Sequence, residues 1–512
     1  MRSTLLLAAL VVLALGGCVF YLNPQCTDQI RNGDETGLDC GGGCGRCNLG
    51  EGCRVDADCD GLCVGGVCTP PVCENGVKDP GETDVDCGGG CRKCAGHRSC
   101  ASDADCYSGT CTPGTMTCSA LSVSFGDEHR QYSGFKPYAM FSVDLDGDSH
   151  GDLAVVNEYG SSIAVFLNHY AGGGGFTRLD NPAGRPPDEP MAANFGPTGA
   201  YPTGGAIADF NHDGHLDVVT ADYHGNSVSV LLNAGNGQLN LRPIASYVTV
   251  SGAETSNLAV GDVNQDGNVD VVATNPQRAS VSLFLGQPDG TLAAGVTIPV
   301  GVTAAAQPYS VAIDDFNGDG KPDLAIAEET SGAILVRLGN GDATFGDEVP
   351  YAIDGIRDYI VIARDVNRDN IVDLVCANRN GDTVSVLLGR GDGTFRKAIV
   401  TSVVPTGVTF PTQGRPWYGP YGVTVADVNR DGVLDLITPN FQGDNVSIML
   451  GIGNGKFEPA IVIGVNKPAD PMVPSSTPYA VVVSDVDGDN RPDLVIATAR
   501  SDELIVVLST GQ

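Results

Sequence analysis

Asp315-Phe-Asn317-Gly-Asp319-Gly320-Lys-Pro-Asp323 is the stretch on which the fold turns. Oxygen-bearing side chains stand at its positions 1, 3, 5 and 9, and Gly320 stands at position 6, where a sharp turn calls for positive φ. A hard cation such as Ca²⁺ takes about six to eight oxygen ligands at roughly 2.3–2.6 Å. Side chains at positions 1, 3 and 5 converge when the chain curls around an ion. A carbonyl at position 7 and the carboxylate at position 9 close the shell. The match to a helix-flanked calcium loop is only partial, because no Glu stands at position 12. Tyr309-Ser-Val-Ala-Ile-Asp314 before the loop and Asp323-Leu-Ala-Ile-Ala327 after it read instead as short buried strands.

The same pattern recurs along the chain, seven copies in all. The other copies are Asp144/Asp146/Asp148/Asp152, Asp209/Asn211/Asp213/Asp217 and Asp262/Asn264/Asp266/Asp270, then Asp365/Asn367/Asp369/Asp373, Asp427/Asn429/Asp431/Asp435 and Asp485/Asp487/Asp489/Asp493. Gly214, Gly267 and Gly432 fill position 6, whereas Asn370 and Asn490 depart from Gly mildly and Ser149 departs more seriously. The loops start 65, 53, 53, 50, 62 and 58 residues apart. A third apolar run follows each loop, as in Val228-Ser-Val-Leu-Leu232, Val384-Ser-Val-Leu-Leu388 and Val446-Ser-Ile-Met-Leu450. Next comes a Gly-rich turn with an aromatic, as in Gly391-Asp-Gly-Thr-Phe395 and Gly453-Asn-Gly-Lys-Phe457, and a weaker fourth strand.

Seven units of four short antiparallel strands predict an all-β chain built on a seven-bladed β-propeller. The repeats resemble the FG-GAP/VCBS repeats of the integrin α-chain head and of many bacterial surface proteins, over about residues 121–512. The resemblance implies that each loop joins the innermost strand of a blade to the next and binds Ca²⁺, up to seven structural ions. The seventh unit lacks an outer strand after Leu504–Leu508, and Leu121-Ser-Val-Ser-Phe125-Gly-Asp-Glu128 is similar to Ala343-Thr-Phe345-Gly-Asp-Glu348. Residues 121–128 are therefore expected to complete the last blade and remove an exposed edge.

Upstream, Met1–Gly17 reads as a secretion signal: Arg2 gives a basic start, and the apolar run Leu5–Leu15 is short for a membrane span. Leu15-Gly16-Gly17-Cys18 resembles the lipobox of bacterial lipoproteins, which implies cleavage before Cys18 and acylation of that cysteine. The alternative is an ordinary signal with an incidental Cys. Val19 in place of Asp leans towards the outer membrane. Residues 18–25 would be a lipidated linker.

Sixteen further cysteines fall into two sets of eight, Cys26–Cys68 and Cys73–Cys118, whose first six members are offset by 47 residues. Asp39-Cys40-Gly-Gly-Gly-Cys44 and Asp86-Cys87-Gly-Gly-Gly-Cys91 mark a tandem duplication, with modules at 26–72 and 73–118. Modules this small need staples, and outside the cytoplasm eight cysteines mean about four disulfides each. Zinc is the rival reading for Cys44-x-x-Cys47 and Cys91-x-x-Cys94. The wording resembles cysteine-rich modules of myxobacterial surface proteins, which implies a spacer or recognition module. Cys376 stands alone in Asp373-Leu-Val-Cys-Ala and reads as a small buried hydrophobe.

Composition agrees. Asp numbers 49 against 13 Glu, with 69 Gly and 30 Pro, which suits turns rather than helices. A net charge of -33 speaks against nucleic acid as a partner. The seven loops hold 23 of the Asp residues, so much of the acidity reads as ligand for metal. Gly147-Asp-Ser149-His150-Gly151 mimics a nucleophile elbow but lies inside the first loop, and Arg390-Gly391-Asp392 fits the ordinary variation of the Gly-rich turn. No catalytic constellation stands out, so the chain reads as a non-enzyme. Recognition is expected on the face opposite the loops. Long connections at about 180–204 and 401–420 are the candidates, the second carrying Trp417, Tyr418 and Tyr421 as a possible ligand face. The reading is a lipid-anchored cell-surface protein that adheres to or recognises a surface protein or polysaccharide; the alternative is a carbohydrate-binding propeller serving polysaccharide uptake or degradation.

Overall fold

A computed structural model describes residues 62–64, 67–69, 99–102, 104, 106, 111–112, 114–118, 123–168, 176–178, 196–235, 245–301, 305–353, 358–408, 418–465 and 476–510. The chain divides into two compact units, one comprising Met1–Cys94 and Ser99–Asp105, the other Ala95–Arg98 and Cys106–Gln512. In the first, Leu62–Val64 pairs antiparallel with Val67–Thr69. The second opens on a small hairpin, Cys111–Thr112 with Thr117–Cys118, stapled by a Cys106–Cys118 disulfide. Cys100 and Cys111 are disulfide-bonded as well. No helix among the described residues is long and apolar enough to cross a membrane.

The rest of the second unit is a seven-bladed propeller. Each blade is one antiparallel sheet whose strands follow chain order from the centre outwards, except that the outer strand of blade 7 comes from the chain's other end. Blade 4 is representative: Pro308–Asp314, Asp323–Glu328, Ala333–Arg337 and Val349–Ala352. In blade 1 the outer position is split, and Thr177–Arg178 and Gly196–Pro197 both pair with Ser162–Leu167. All seven second strands, such as Asp323–Glu328, are buried throughout, because neighbouring blades cover both faces. Alternate residues therefore enter different cores. Leu153 and Val155 pack against Val495 and Ala497 of blade 7, whereas Ala154 packs with Val218 and Leu231 of blade 2. Seven such clusters occupy the seven seams, so the hydrophobic core is itself a ring. Cys376 is fully buried in the seam of blades 4 and 5, where its thiol packs as a small apolar group.

The ring closes through an N-terminal strand that shares residues 125–128 with the expected one and runs four residues further on. The outer strand of blade 7 is Phe125–Tyr132, paired from Glu503↔Tyr132 to Ser509↔Phe125. The reason is visible in blade 4. Phe345 bridges back to Gly339, and the outer strand of blade 4 starts only at Val349. The shared motif marks the entry to an outer strand, and the strand lies downstream of it. Arg130 fixes the closing strand: it pairs with Glu503 at 3.1 Å and Glu128 at 2.7 Å and donates to the Val465 carbonyl of blade 6 at 3.0 Å.

A second set of ties joins consecutive blades. The residue before each third strand is left-handed, with φ of 44° to 62° at Ser161, Asn226, Ala279, Gly332, Asp382, Asp444 and Asp502. Where it carries an oxygen, that oxygen accepts an N–H from the entry of the next blade. Tyr201 donates to Ser161, Glu254 to Asn226, Tyr418 and Gly419 to Asp382, and Thr477 to Asp444. Lys136 of blade 1 donates to Asp502 of blade 7 at 2.7 Å, which closes this ring too.

In six blades the second strand also ends in a buried polar residue that binds the hairpin beyond it, whereas Asn157 of blade 1 is buried but donates to Val155 of its own strand. In blades 3, 5 and 6 it is Asn275, Asn378 or Asn440, whose amides donate to Ser282, Ser385 and Ser447 at 2.7–2.9 Å. Blade 2 carries Asp222, which accepts from Thr220, Ser227 and Ser229. Burial pushes its carboxyl up to about 6, against the pull of these hydrogen bonds. The folded state thus holds this proton more tightly than the unfolded chain. Its contribution to stability rises as pH falls from above 6 towards about 4. Asp222→Asn, which copies the sister blades, is expected to raise Tm by a few degrees at pH 7.5 and to leave it nearly unchanged at pH 4.5. Thermal melts of both chains across that range check it; a lower Tm for the variant at pH 7.5 refutes it.

Candidate cation loops and the opposite face

The seven acidic loops share one backbone geometry. The position 1 carboxylate accepts the N–H of position 6 in each: Ser149 and Gly214 donate to Asp144 and Asp209 at 2.8 and 2.9 Å, and Gly320 donates to Asp315 at 2.7 Å. Its other oxygen takes the N–H of position 4 or 5, as from Gly147 to Asp144 and from Asp213 to Asp209. Position 5 accepts the position 7 N–H, as from Lys321 to Asp319. Position 6 is left-handed in every loop, including Ser149 at φ 70°, Asn370 at 60° and Asn490 at 61°. The first loop therefore folds like the others despite its serine. Position 4 is left-handed as well, at Gly147, His212, Gln265, Gly318, Arg368, Arg430 and Gly488. This second requirement was missed in the sequence, although Gly147, Gly318 and Gly488 are its trace. Position 4 side chains also reach the neighbouring loop: Gln265 donates to the Gly320 carbonyl, and His212 meets Asn268 at 3.3 Å.

Positions 3 and 5 also bond to each other. Asn211, Asn264, Asn367 and Asn429 turn their amide N–H onto the position 5 carboxylate. They donate to Asp213, Asp266, Asp369 and Asp431 at 2.9, 2.8, 2.9 and 3.2 Å. Their amide oxygens accept the backbone N–H of the same four residues at 3.0–3.2 Å. The physical reason is local: a carboxylate two residues away draws the nearest donor, and an amide has one where a carboxylate has none. Asp369 also accepts the Ile371 N–H at 3.0 Å. Asp489 likewise turns along the chain, taking the Arg491 N–H at 2.8 Å and the Arg491 guanidinium at 3.6 Å. Three acidic side chains bring oxygens within 4.8 Å of one another in two loops among the described residues, at Asp144, Asp146 and Asp152 and at Asp485, Asp487 and Asp493. Those are the two loops with Asp at position 3, and even there Asp148 and Asp489 lie outside the group. A cation taking all four side chains of the Asn loops would need the amide turned over, which exchanges its nitrogen for its oxygen at nearly the same place.

Position 9 does more than face the loop. All seven of these aspartates are fully buried. One oxygen accepts the N–H of loop position 2, as Phe316 donates to Asp323 at 2.8 Å; the other accepts an N–H sixteen residues on, as Gly339 donates to Asp323 at 2.7 Å. The residue ties loop, second strand and third strand together. Each oxygen keeps a further lone pair for a cation. Burial, with the neighbouring loop carboxylates adding to it, pushes these acids up: to about 6 at Asp217 and Asp270, about 7 at Asp373 and about 8 at Asp435. An all-oxygen, acidic donor set around a buried carboxylate that lacks a counter-charge fits a hard divalent cation.

Inner strands run from the opposite face to the loops, so that face collects their starts and the turns between second and third strands. The inner strands line a central cavity of about 300 Å³. Tyr138, Tyr421 and Tyr479 stand at its mouth with ring centroids 4.5–5.4 Å apart. Tyr421, expected on an exposed ligand face, is only 9% exposed. It packs against Tyr138, Tyr479 and Phe441, with its hydroxyl on that of Tyr138 and the Arg379 guanidinium 5.5 Å from its ring. Tyr418 is half-buried, its backbone held by Asp382. Trp417 lies outside the described residues, as do most of 180–204 and part of 401–420. The exposed Phe and Tyr side chains among the described residues are Phe135, Tyr159 and Tyr201, all on this face. They went unnoticed in the sequence because they occupy no common repeat position.

Two suggestive motifs dissolve into loop structure. His150 pairs with Asp148 at 3.1 Å, and Ser149 spends its N–H on Asp144. Asp392 caps Thr394 within its Gly-rich turn.

A family model for the FG-GAP-like repeat matches residues 144–220, 209–273, 262–326 and 365–438, together half of the chain. No curated protein matches. Among solved structures, virginiamycin B lyase from Staphylococcus aureus is similar at 12% identity and a TM-score of 0.47, over 75% of this chain and 99% of that one. An Agrocybe aegerita lectin, described with non-reducing terminal N-acetylglucosamine, is similar at 20% identity and a TM-score of 0.41, over 64% of this chain and 80% of that one.

Proposed function

Because the chain belongs to the FG-GAP-like repeat family, we propose that it is a non-catalytic recognition protein of the bacterial cell surface. In this reading Cys18 carries the lipid that anchors it in the outer membrane, the cysteine-rich modules act as a spacer, and the propeller presents a binding face. Structural Ca²⁺ ions would be held by the position 1, 3, 5 and 9 side chains of the seven loops, where they neutralise carboxylates that the fold buries. The observation that carries recognition is the division of labour between faces. Charge and repeat identity concentrate on the loop face, whereas the exposed aromatic rings gather on the other.

Two measurements test it. Cells fed an alkyne palmitate are expected to label the chain in the membrane fraction, and Cys18→Ala is expected to abolish that label. Beads coated with the mature chain are expected to adhere to cell surfaces, and to lose adhesion when heated in EDTA to a temperature at which only the calcium-free propeller melts. Beads that bind no surface, or turnover of a polysaccharide by the purified chain, would overturn the reading.

A further inference from the structure

We propose that the seam of blades 6, 7 and 1 carries a binding site for a neutral polysaccharide, laid across the face opposite the acidic loops. This rests on the recognition reading above and names its ligand. A basin of about 650 Å³ lies there, bordered by Phe135, Tyr159, Phe441 and Tyr479 together with Gln442, Asp444 and Arg500. Phe135 is 47% exposed and Tyr159 62% exposed. The aromatic track continues past the basin, because Tyr159 meets Tyr201 edge-on at 5.6 Å and Tyr201 meets His224 at 4.8 Å.

The chemistry selects the ligand class. Sugar rings present C–H faces that stack on exposed aromatic rings, while their hydroxyls take hydrogen bonds from amides, guanidinium groups and carboxylates. The basin offers both kinds of group. Its cations lie beside acids: Lys136 pairs with Glu158, and Arg500 borders the basin with Asp444 and Asp502. An anionic polymer therefore finds no unmatched positive charge, and Asp502 beside it repels one. A cationic ligand is excluded by occupancy. The Lys136 ammonium already sits over the Tyr159 ring at 4.4 Å and near Tyr138 and Tyr479 at 5.8 and 5.9 Å. A line of separated exposed rings suits a chain of sugars rather than one residue in an enclosed hole.

Affinity electrophoresis of the mature chain through gels holding soluble β-glucan, mannan or galactan, with alginate as the anionic control, tests the proposal. Retardation is expected in at least one neutral gel. Tyr159→Ala and Phe135→Ala, both exposed, are expected to weaken it on the order of tenfold each without moving Tm. Val296→Ser on an exposed outer strand is expected to change nothing. Unaltered retardation of a Phe135, Tyr159 and Tyr201 triple alanine variant overturns the site. Retardation by alginate alone overturns the ligand class. Beads that bind periodate-treated cells while no gel retards the chain overturn the saccharide and leave recognition standing. If neither gels nor beads register binding, both readings fall.

Discussion

Chelation is expected to lower the melting temperature of the propeller by about 10 °C or more, with recovery on adding Ca²⁺. An ion bound only by the folded state adds about 2.7 kcal/mol per site at a free concentration 100 times its Kd. Several such sites outweigh the net stability of an ordinary domain, roughly 5–15 kcal/mol. Mg²⁺ is expected to restore less, since it demands a small octahedral shell and gives up water reluctantly. Scanning calorimetry with EDTA, then with each ion in excess, checks this; superimposable traces rule out a structural cation.

Two roles of the loop residues separate in the same experiment. Asp319 stands half-exposed at position 5 and spends its hydrogen bonds inside the loop, whereas Asp323 at position 9 is buried and holds two distant N–H groups. Asp319→Ala is expected to lower Tm in Ca²⁺ and to match the parent in EDTA. Asp323→Ala is expected to lower it in both, because two buried N–H groups lose their acceptor, at about 1–3 kcal/mol each. Equal losses for both variants in EDTA would show that position 5 is a structural tie as well.

The blade count and strand order were legible because the oxygen-rich loop recurs at a blade's length, and the apolar runs around it have nowhere to go but a sheet buried on both faces. The stitch made by position 9 was not legible. An Asp that accepts two backbone N–H groups looks in sequence like any metal ligand. Nor was the turn of Asn211 or Asn367 onto its neighbouring carboxylate, because an amide counts as an oxygen in a ligand pattern although it carries a donor too. The clasp between blades was hidden for a different reason. A left-handed turn with an acceptor can be built from Ser161, Asn226 or Asp382, and Ala279 keeps the conformation without the acceptor, so no single residue type marks the position. Exposure was the least legible. Tyr421 resembles a surface aromatic in a long connection, yet the convergence of seven inner strands buries it under Tyr138 and Tyr479, residues 283 positions before it and 58 after it. Phe135, Tyr159 and Tyr201 come from an entry segment, a turn and another entry segment, which lie together only once blades 1 and 2 have formed and packed side by side.

Removing residues before Ser133 is expected to make the propeller associate with itself and to lower its Tm by about 10 °C or more. The truncation deletes Phe125–Tyr132, the only part of blade 7 contributed by the chain's other end. Three losses follow together. Glu503–Ser509 becomes an unpaired edge, the form of strand most prone to pair with another copy. Phe125 and Val123 leave the core shared with blade 6. Glu503 loses Arg130, which also reaches the Val465 carbonyl, so the tie between the outer rims of blades 6 and 7 goes as well. What remains at the 7-to-1 seam is the buried cluster of Met140, Leu153 and Val495 and the Asp502 clasp on Lys136. That seam is large enough to hold a ring but leaves its rim open. Asp502→Ala in the full chain removes one acceptor and is expected to cost only about 1–3 kcal/mol, with sedimentation unchanged. Sedimentation and thermal melts of the two variants separate the terms. A truncated chain that sediments and melts with the parent would mean that the inner seam alone closes the ring.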